Sequence, residues 1–194
     1  DQLMDQQPDV MLNISASPFD YTHDEDRKSV IKANVQKYKI PMFYCNSVGS
    51  QTEIIFDGAS LVFDKDANLC GALPMFQEAM STWELNDDGS INAPILEPAS
   101  RVPDKELNPA TLEPELNIAQ VYDALIMGIR DYFSKMGFSK AILGSSGGID
   151  SAVTLAIACD ALGKENVRAI LMPSPYSTDH SVNDAVQLSK NLGN

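Results

Sequence analysis

Residues 141–151 read AILGSSGGIDS: an apolar run, a turn rich in serine and glycine, and then a second apolar run that begins at Ala152 and Val153. That order predicts strand, tight turn and helix, and no other stretch constrains the chain as much. A turn of this kind points free backbone N–H groups and the positive end of a helix at one place, where a phosphate group is favoured. Gly147 and Gly148 let the backbone approach a ligand closely. The hydroxyls of Ser146 and Ser151 can add hydrogen bonds to phosphate oxygens. Asp150 would repel phosphate unless a cation stood between them. Mg²⁺ held by one or two carboxylates together with phosphate oxygens meets that requirement.

Two common nucleotide loops are excluded. The Walker loop needs a Lys before its closing Ser or Thr, and none is present. The dinucleotide fingerprint G-x-G-x-x-G does not fit the spacing of Gly144, Gly147 and Gly148. The stretch resembles the SGGxDS loop of the ATP pyrophosphatases. These enzymes split ATP between its α and β phosphates, adenylate a substrate and release pyrophosphate.

The 194 residues suffice for one large domain or two small ones, and 44% hydrophobic with 21% charged residues is ordinary for a globular protein. Formal net charge is −13, unevenly spread: residues 1–100 carry 6 basic and 16 acidic side chains, residues 101–194 carry 8 and 11. Such a surface argues against nucleic-acid and anionic-membrane partners. It leaves room for a nucleotide, because helix ends and Mg²⁺ set the local field. No apolar run reaches the length of a membrane span, and no signal or transit peptide is read at the polar N-terminus. Cys45, Cys70 and Cys159 are odd in number and far apart, so neither zinc nor a disulfide framework is expected, and the setting reads as reducing and cytoplasmic.

Residues 97–115 contain Pro98, Pro103, Pro109 and Pro114 and read as an interdomain linker. Before it, a strand is expected over 10–14, a helix over 23–39 with Val30, Ile31, Val35 and Tyr38 on one face, and strands over 42–46, 53–56 and 60–63. Asp57-Gly58 is read as the turn of a hairpin and 64–68 as a further turn. After it, a helix over 117–136 carries Val121, Leu125, Ile129 and Tyr132 at helical intervals, with Gly137 as its C-cap. Strands over 140–144 and 167–172 alternate with helices from about 150 to 162 and 180 to 192, which predicts a parallel sheet with right-handed crossovers. The phosphate loop then falls at the carboxyl end of its strand, where open α/β sheets bind ligands.

The post-linker runs VYDALIMGIRDYFSKMGF, AILGSSGGIDSAVTLAIACDALG and VRAILMPSPYSTDHSVNDAVQLSKNLG resemble the synthetase domain of glutamine-dependent NAD⁺ synthetases. The pre-linker runs PDVMLNISASPF and NSVGSQTEIIFDGAS resemble the C-terminal part of that family's nitrilase-like glutaminase domain. The resemblance implies an α/β fold: residues 1–96 as the C-terminal part of a nitrilase-like α-β-β-α domain, 97–115 as linker, and 116–194 as the N-terminal part of an ATP pyrophosphatase (adenine-nucleotide α-hydrolase-like) parallel-sheet domain. It implies ATP and Mg²⁺ as cofactors, with glutamine and nicotinic acid adenine dinucleotide (deamido-NAD) as the other small-molecule substrates. Glutamine would supply ammonia, and an adenylated deamido-NAD would accept it to give NAD⁺ and AMP. A homo-oligomer is expected as well.

Carried over residue by residue, the resemblance assigns ATP binding to Gly144, Ser145, Ser146, Gly147, Gly148, Ile149, Asp150, Ser151 and Met172, with Asp150 also the Mg²⁺ ligand. Position 145 departs from the family, which usually has Leu there. Arg168 is read as a solvent-facing strand residue and His180 as a surface or capping residue after Asp179. Ser17 and His23 match glutamine-binding positions, although the family usually has a basic residue where His23 stands. The family's Glu, Lys and Cys glutaminase residues are placed upstream of Asp1, so no catalytic residue is assigned here and the chain alone is expected to be inactive. Cys45, in an apolar strand, is read as a small buried hydrophobe rather than a nucleophile, and Cys70 and Cys159 likewise. Two other readings stay open, a different ATP pyrophosphatase amidotransferase and an inactive Mg-ATP-binding interaction fragment, whereas a carbon–nitrogen hydrolase with a vestigial second domain is set aside for want of its own triad.

Overall fold

The computed structural model describes residues 2–21, 23–92, 117–173 and 179–194, and the side chains of residues 23–25 and 117 are outside the description. The expected linker, 97–115, lies outside the described residues. The chain forms two compact units. One comprises residues 1–49 and 54–120, the other residues 50–53 and 121–194.

In the first unit, strand β1 (Met11–Ser15) is followed by helix α1 (His23–Tyr38) and strand β2 (Met42–Asn46). β1 and β2 pair in parallel, from Met11 opposite Met42 to Ser15 opposite Asn46. A parallel pair needs a crossover, and α1 supplies it. Strand β5 (Leu61–Phe63) adds antiparallel to β2 and strand β6 (Leu69–Ala72) antiparallel to β5, so the sheet is mixed, in the order β1-β2-β5-β6. Ile31 and Val35, one helical turn apart on α1, pack on Met42, Tyr44, Leu61 and Phe63 in the core. Val30, expected on that stripe, is 61% exposed: it precedes Ile31 by one position, about 100° around the helix.

The alternation of a strand decides two further positions. Met42, Tyr44 and Asn46 are buried on the α1 side, and the residues between them point the other way. Cys45 is therefore exposed, not buried as the apolar run suggested, and its neighbour Ile14 is 91% exposed on the same face. Strands β3 (Val48–Gln51) and β4 (Ile54–Asp57) pair with each other. The hairpin turn thus lies at 52–53, with Thr52 at a φ of 52°. Asp57-Gly58 is not a hairpin turn: it leads from β4 to β5, which belongs to the other sheet.

The second unit holds most of helix α2 (Asn117–Met136), then strand β7 (Ala141–Gly144), helix α3 (Ile149–Leu162), strand β8 (Val167–Ile170) and helix α4 (Asp179–Leu192). β7 and β8 pair in parallel, with Ala141 opposite Val167 and Gly144 opposite Ile170. Leu155, Ala158 and Cys159 of α3 pack with Val167, and Leu188 and Leu192 of α4 join that core. α2 has the expected span but a different face: Ala124 and Met127 are buried, whereas Leu125 and Tyr132 are 43% and 42% exposed. Ser50 belongs to this unit, where its N–H donates to Asp131 Oδ2 at 2.7 Å. Among the described residues no helix is long and apolar enough to cross a membrane.

Candidate nucleotide and glutamine sites

β7 ends at Gly144, and the Ser145 N–H extends the ladder by donating to Ile170 O at 2.9 Å. Ser145 is buried, with no hydrogen-bond partner for its Oγ among the described residues. The chain then turns through Gly147, whose φ of +82° is left-handed, into Gly148, the extended N-cap of α3. No side chain caps that helix, so its first N–H groups face the turn uncompensated. The serines close a small ring. Ser146 Oγ accepts from Gly148 N–H at 3.2 Å and lies 3.0 Å from Ser151 Oγ. Ser151 Oγ accepts from Ser146 N–H at 3.2 Å and donates to Gly148 O at 3.0 Å. These bonds fix the turn through its own hydroxyls.

Two recesses flank the loop. One, of about 120 Å³, is lined by Ser145, Ser146, Met172 and Val182 among others. The other, of about 270 Å³, is lined by Ser145, Gly147, Ile149, Ser151 and Ala185 among others. Met172 is 74% exposed, and its methyl group lies 3.1 Å from where a Cβ at Gly144 would sit. The nine residues assigned to ATP thus gather at one end of the β7–β8 pair. Asp150, in the first turn of α3, is exposed and makes no ion pair among the described residues. Among the described residues no group of three or more His, Cys, Asp or Glu side chains is placed to hold a metal ion by itself. A cation here would need ligand oxygens from phosphate, which suits Mg²⁺. Arg168 and His180 are exposed, and His180 Nδ1 pairs with Asp184 Oδ2 at 2.8 Å.

The structure places Ser17 in the first unit, in a polar cluster that sequence reasoning missed. Asn46 Oδ1 accepts from Ser17 N–H at 2.8 Å, and Asn46 Nδ2 donates to Ser17 O at 3.2 Å. Asn46 Nδ2 also donates to Asp57 Oδ1 at 3.0 Å. Asp57 in turn takes a two-pronged ion pair from Arg27, at 2.9 and 3.0 Å, with both side chains almost fully buried. The signals were present: Arg27 is one turn before Ile31 on the buried face of α1, and Asn46 continues the buried alternation of Met42 and Tyr44. His23 is the first residue of α1, and its side chain lies outside the described residues.

Burial, helped by the charge of Asp160, pushes the Cys159 thiol above its ordinary pKa. Burial and the charge of Asp64 do the same for Cys70.

Residues 121–194 match the family model for NAD synthase. The glutamine-dependent NAD(+) synthetase of Synechocystis sp. is 42% identical over 193 residues, covering 98% of this chain and 32% of that protein. The solved glutamine-dependent NAD+ synthetase of Acinetobacter baumannii, in complex with adenosine diphosphate, superposes with a TM-score of 0.83 at 34% identity, covering 99% of this chain and 34% of that one. Nearly the whole chain is thus similar to glutamine-dependent NAD⁺ synthetases. It spans about a third of the length of the curated relatives it matches. A glutamine-dependent NAD(+) synthetase from Cytophaga hutchinsonii, 18% identical with a TM-score of 0.72 over 97% of this chain and 35% of that one, shares the mixed α/β fold.

Proposed function

We propose that this chain contributes the ATP-phosphate site and part of the glutamine pocket of an enzyme that amidates deamido-NAD to NAD⁺. The single observation behind this reading is the SGGIDS turn at the carboxyl end of β7, which opens the uncapped N-terminus of α3. In this reading residues 1–96 are the C-terminal part of a nitrilase-like glutaminase domain, 97–115 a linker, and 116–194 the start of an ATP pyrophosphatase domain.

Backbone N–H groups of Gly148 through Ser151 and the α3 dipole would hold the phosphates leaving as pyrophosphate. Ser146 and Ser151, already ordered by their mutual bonds, would turn their hydroxyls toward the phosphate oxygens. Mg²⁺, held by Asp150, would neutralise charge on the phosphates. Attack of the deamido-NAD carboxylate on the α phosphorus gives an acyl-adenylate and pyrophosphate. Ammonia then attacks the acyl carbon and AMP leaves. The acyl-adenylate must be shielded from water, which would return the carboxylate. Ammonia would come from glutamine seated at Ser17 and His23. The protein would act as a cytoplasmic homo-oligomer.

The test is pyrophosphate release by the full-length protein with ATP, Mg²⁺ and ammonia, offering deamido-NAD, XMP or aspartate in turn. Release with deamido-NAD alone is expected. Asp150→Ala is expected to lower that rate by a factor of about 100 or more, the scale of losing one strong electrostatic contact to the reacting group, while glutamate release from glutamine continues. Release with XMP or aspartate instead would transfer the chain to another ATP pyrophosphatase. Mg-ATP binding without release under any condition would make it a binding module.

A further inference from the structure

We propose that Asn46, locked by Asp57 and Arg27, is a positioning residue that sets the glutamine pocket by clamping the backbone of Ser17. The inference rests on the reading of Ser17 as a glutamine contact, and it gives a role to Asn46, Asp57 and Arg27, to which the motif reading assigned none.

Asn46 grips the N–H and the C=O of Ser17 at once, at 2.8 and 3.2 Å. A side-chain amide can do this in one orientation, with its oxygen toward the N–H and its nitrogen toward the carbonyl. Asp57 fixes that orientation. Its ionised carboxylate only accepts, so the group facing Oδ1 at 3.0 Å must be the Asn46 amide nitrogen. Arg27 holds Asp57 through both oxygens, a planar geometry that a point charge cannot reproduce. Arg27 also lies over the Tyr44 ring, 5.9 Å from its centroid, and its Nη2 is 3.5 Å from Ser17 Oγ. The Asn46 backbone is fixed too, its N–H donating to Ser60 Oγ at 3.0 Å.

Packing alone does not call for these groups. Asn46 and Arg27 lie on the surfaces that bury Met42, Tyr44, Ile31 and Val35. A buried ion pair repays its desolvation only in part, and well-packed apolar residues of similar volume generally do as well or better for stability. What the polar set supplies, and apolar residues could not, is a fixed direction for the Ser17 backbone and hence for its hydroxyl. A hydroxyl misplaced by about 1 Å is enough to degrade a substrate contact. Asp57 and Arg27 are 2% and 8% exposed at the side chain, so they act through Asn46 and Ser17 and do not touch substrate.

The full-length protein tests this with NAD⁺ formation driven by glutamine or by ammonia, read as the ratio of the two KM values. Ser17→Ala is expected to raise that ratio, and Asn46→Ala to raise it about tenfold with little change in the glutamine-driven kcat. The deciding result is the double variant. If Asn46 acts through Ser17, Ser17→Ala with Asn46→Ala matches Ser17→Ala alone. Equal Asn46→Ala factors in both backgrounds would overturn the proposal. So would a loss of kcat with the KM ratio unchanged. If thermal melting shows Asn46→Ala unfolded, Asp57→Asn, which meets Ser17 only through Asn46 and Arg27, replaces it in the same cycle, with a smaller rise and the same non-additivity expected. A KM ratio unmoved by Ser17→Ala would instead sink the glutamine reading of Ser17, and the clamp's role with it.

Discussion

Gly147 carries the sharpest constraint on any single residue. Its φ is +82°, and a Cβ there would sit 2.1 Å from Ser181 O and 2.7 Å from Ser181 C, both backbone atoms of the first turns of α4. Gly147→Ala therefore adds a collision to the left-handed backbone cost of about 1–2 kcal/mol. Relief requires a shift of the loop or of α4. The expected outcome is a destabilisation above about 2 kcal/mol with at least a tenfold loss of Mg-ATP affinity, read by thermal melting and by nucleotide titration of the full-length protein. A variant that binds Mg-ATP normally would show that the loop does not need its present path. The identity of this residue was legible in the sequence, since a serine- and glycine-rich turn between apolar runs is a strong local signal. The reason for it was not, because the packing partner is more than thirty residues away. Asn46, Asp57 and Arg27 were hidden in the same way. Arg27 on the buried face of α1 and Asn46 in the buried alternation of β2 mark where to look, but only their meeting with Asp57 across 30 and 11 residues of chain gives them a role.

Helix ends were easier to read than helix faces. α2 stops at Met136 as expected, with the Gly137 N–H donating to Ser134 O and the Phe138 N–H donating to Phe133 O, the two bonds of a Schellman cap. Gly137 has a φ of +72° with nothing within 4 Å of a hypothetical Cβ. Gly137→Ala is thus expected to cost about 1 kcal/mol, the backbone term alone, and to leave Mg-ATP affinity unchanged. A cost above that of Gly147→Ala in the same melting assay would contradict the steric account of both. The buried stripe of α2 was misread because large apolar residues were counted and Ala124 was not, although a small residue marks close packing as well as a large one. The β3–β4 hairpin was missed for a related reason. Its tip, Gln51 to Glu53, has no glycine, and Thr52 takes the left-handed backbone that Gly58 advertised six residues later.

The three thiols report on both units at once. Cys45 and Cys70 belong to the first unit and Cys159 to the second. Cys45 is exposed, Cys70 half-buried and Cys159 buried in the α3 core. Thiolate is the reactive form, so a thiol with a raised pKa is less reactive at a given pH. Burial raises Cys159 and Cys70, and each also faces a nearby carboxylate, Asp160 and Asp64 respectively. Alkylation of the native chain at pH 8 is expected to modify the exposed Cys45 first, Cys70 more slowly and Cys159 slowest, because burial limits access to the last two and lowers their thiolate fraction. The linkage has a definite sign. The folded state binds the Cys159 proton more tightly than the unfolded state, so this contribution to stability is complete below the ordinary thiol pKa of about 8.5. It is lost as pH rises through the raised value. Melting of the second unit should therefore fall at alkaline pH, and Cys159→Ala should flatten that fall while costing some core packing. Labelling of Cys159 as fast as Cys45 in the folded chain would mean that α3 opens from the β7–β8 sheet on the timescale of the reaction. The turn through Gly147, which is continuous with α3, would then be formed only part of the time.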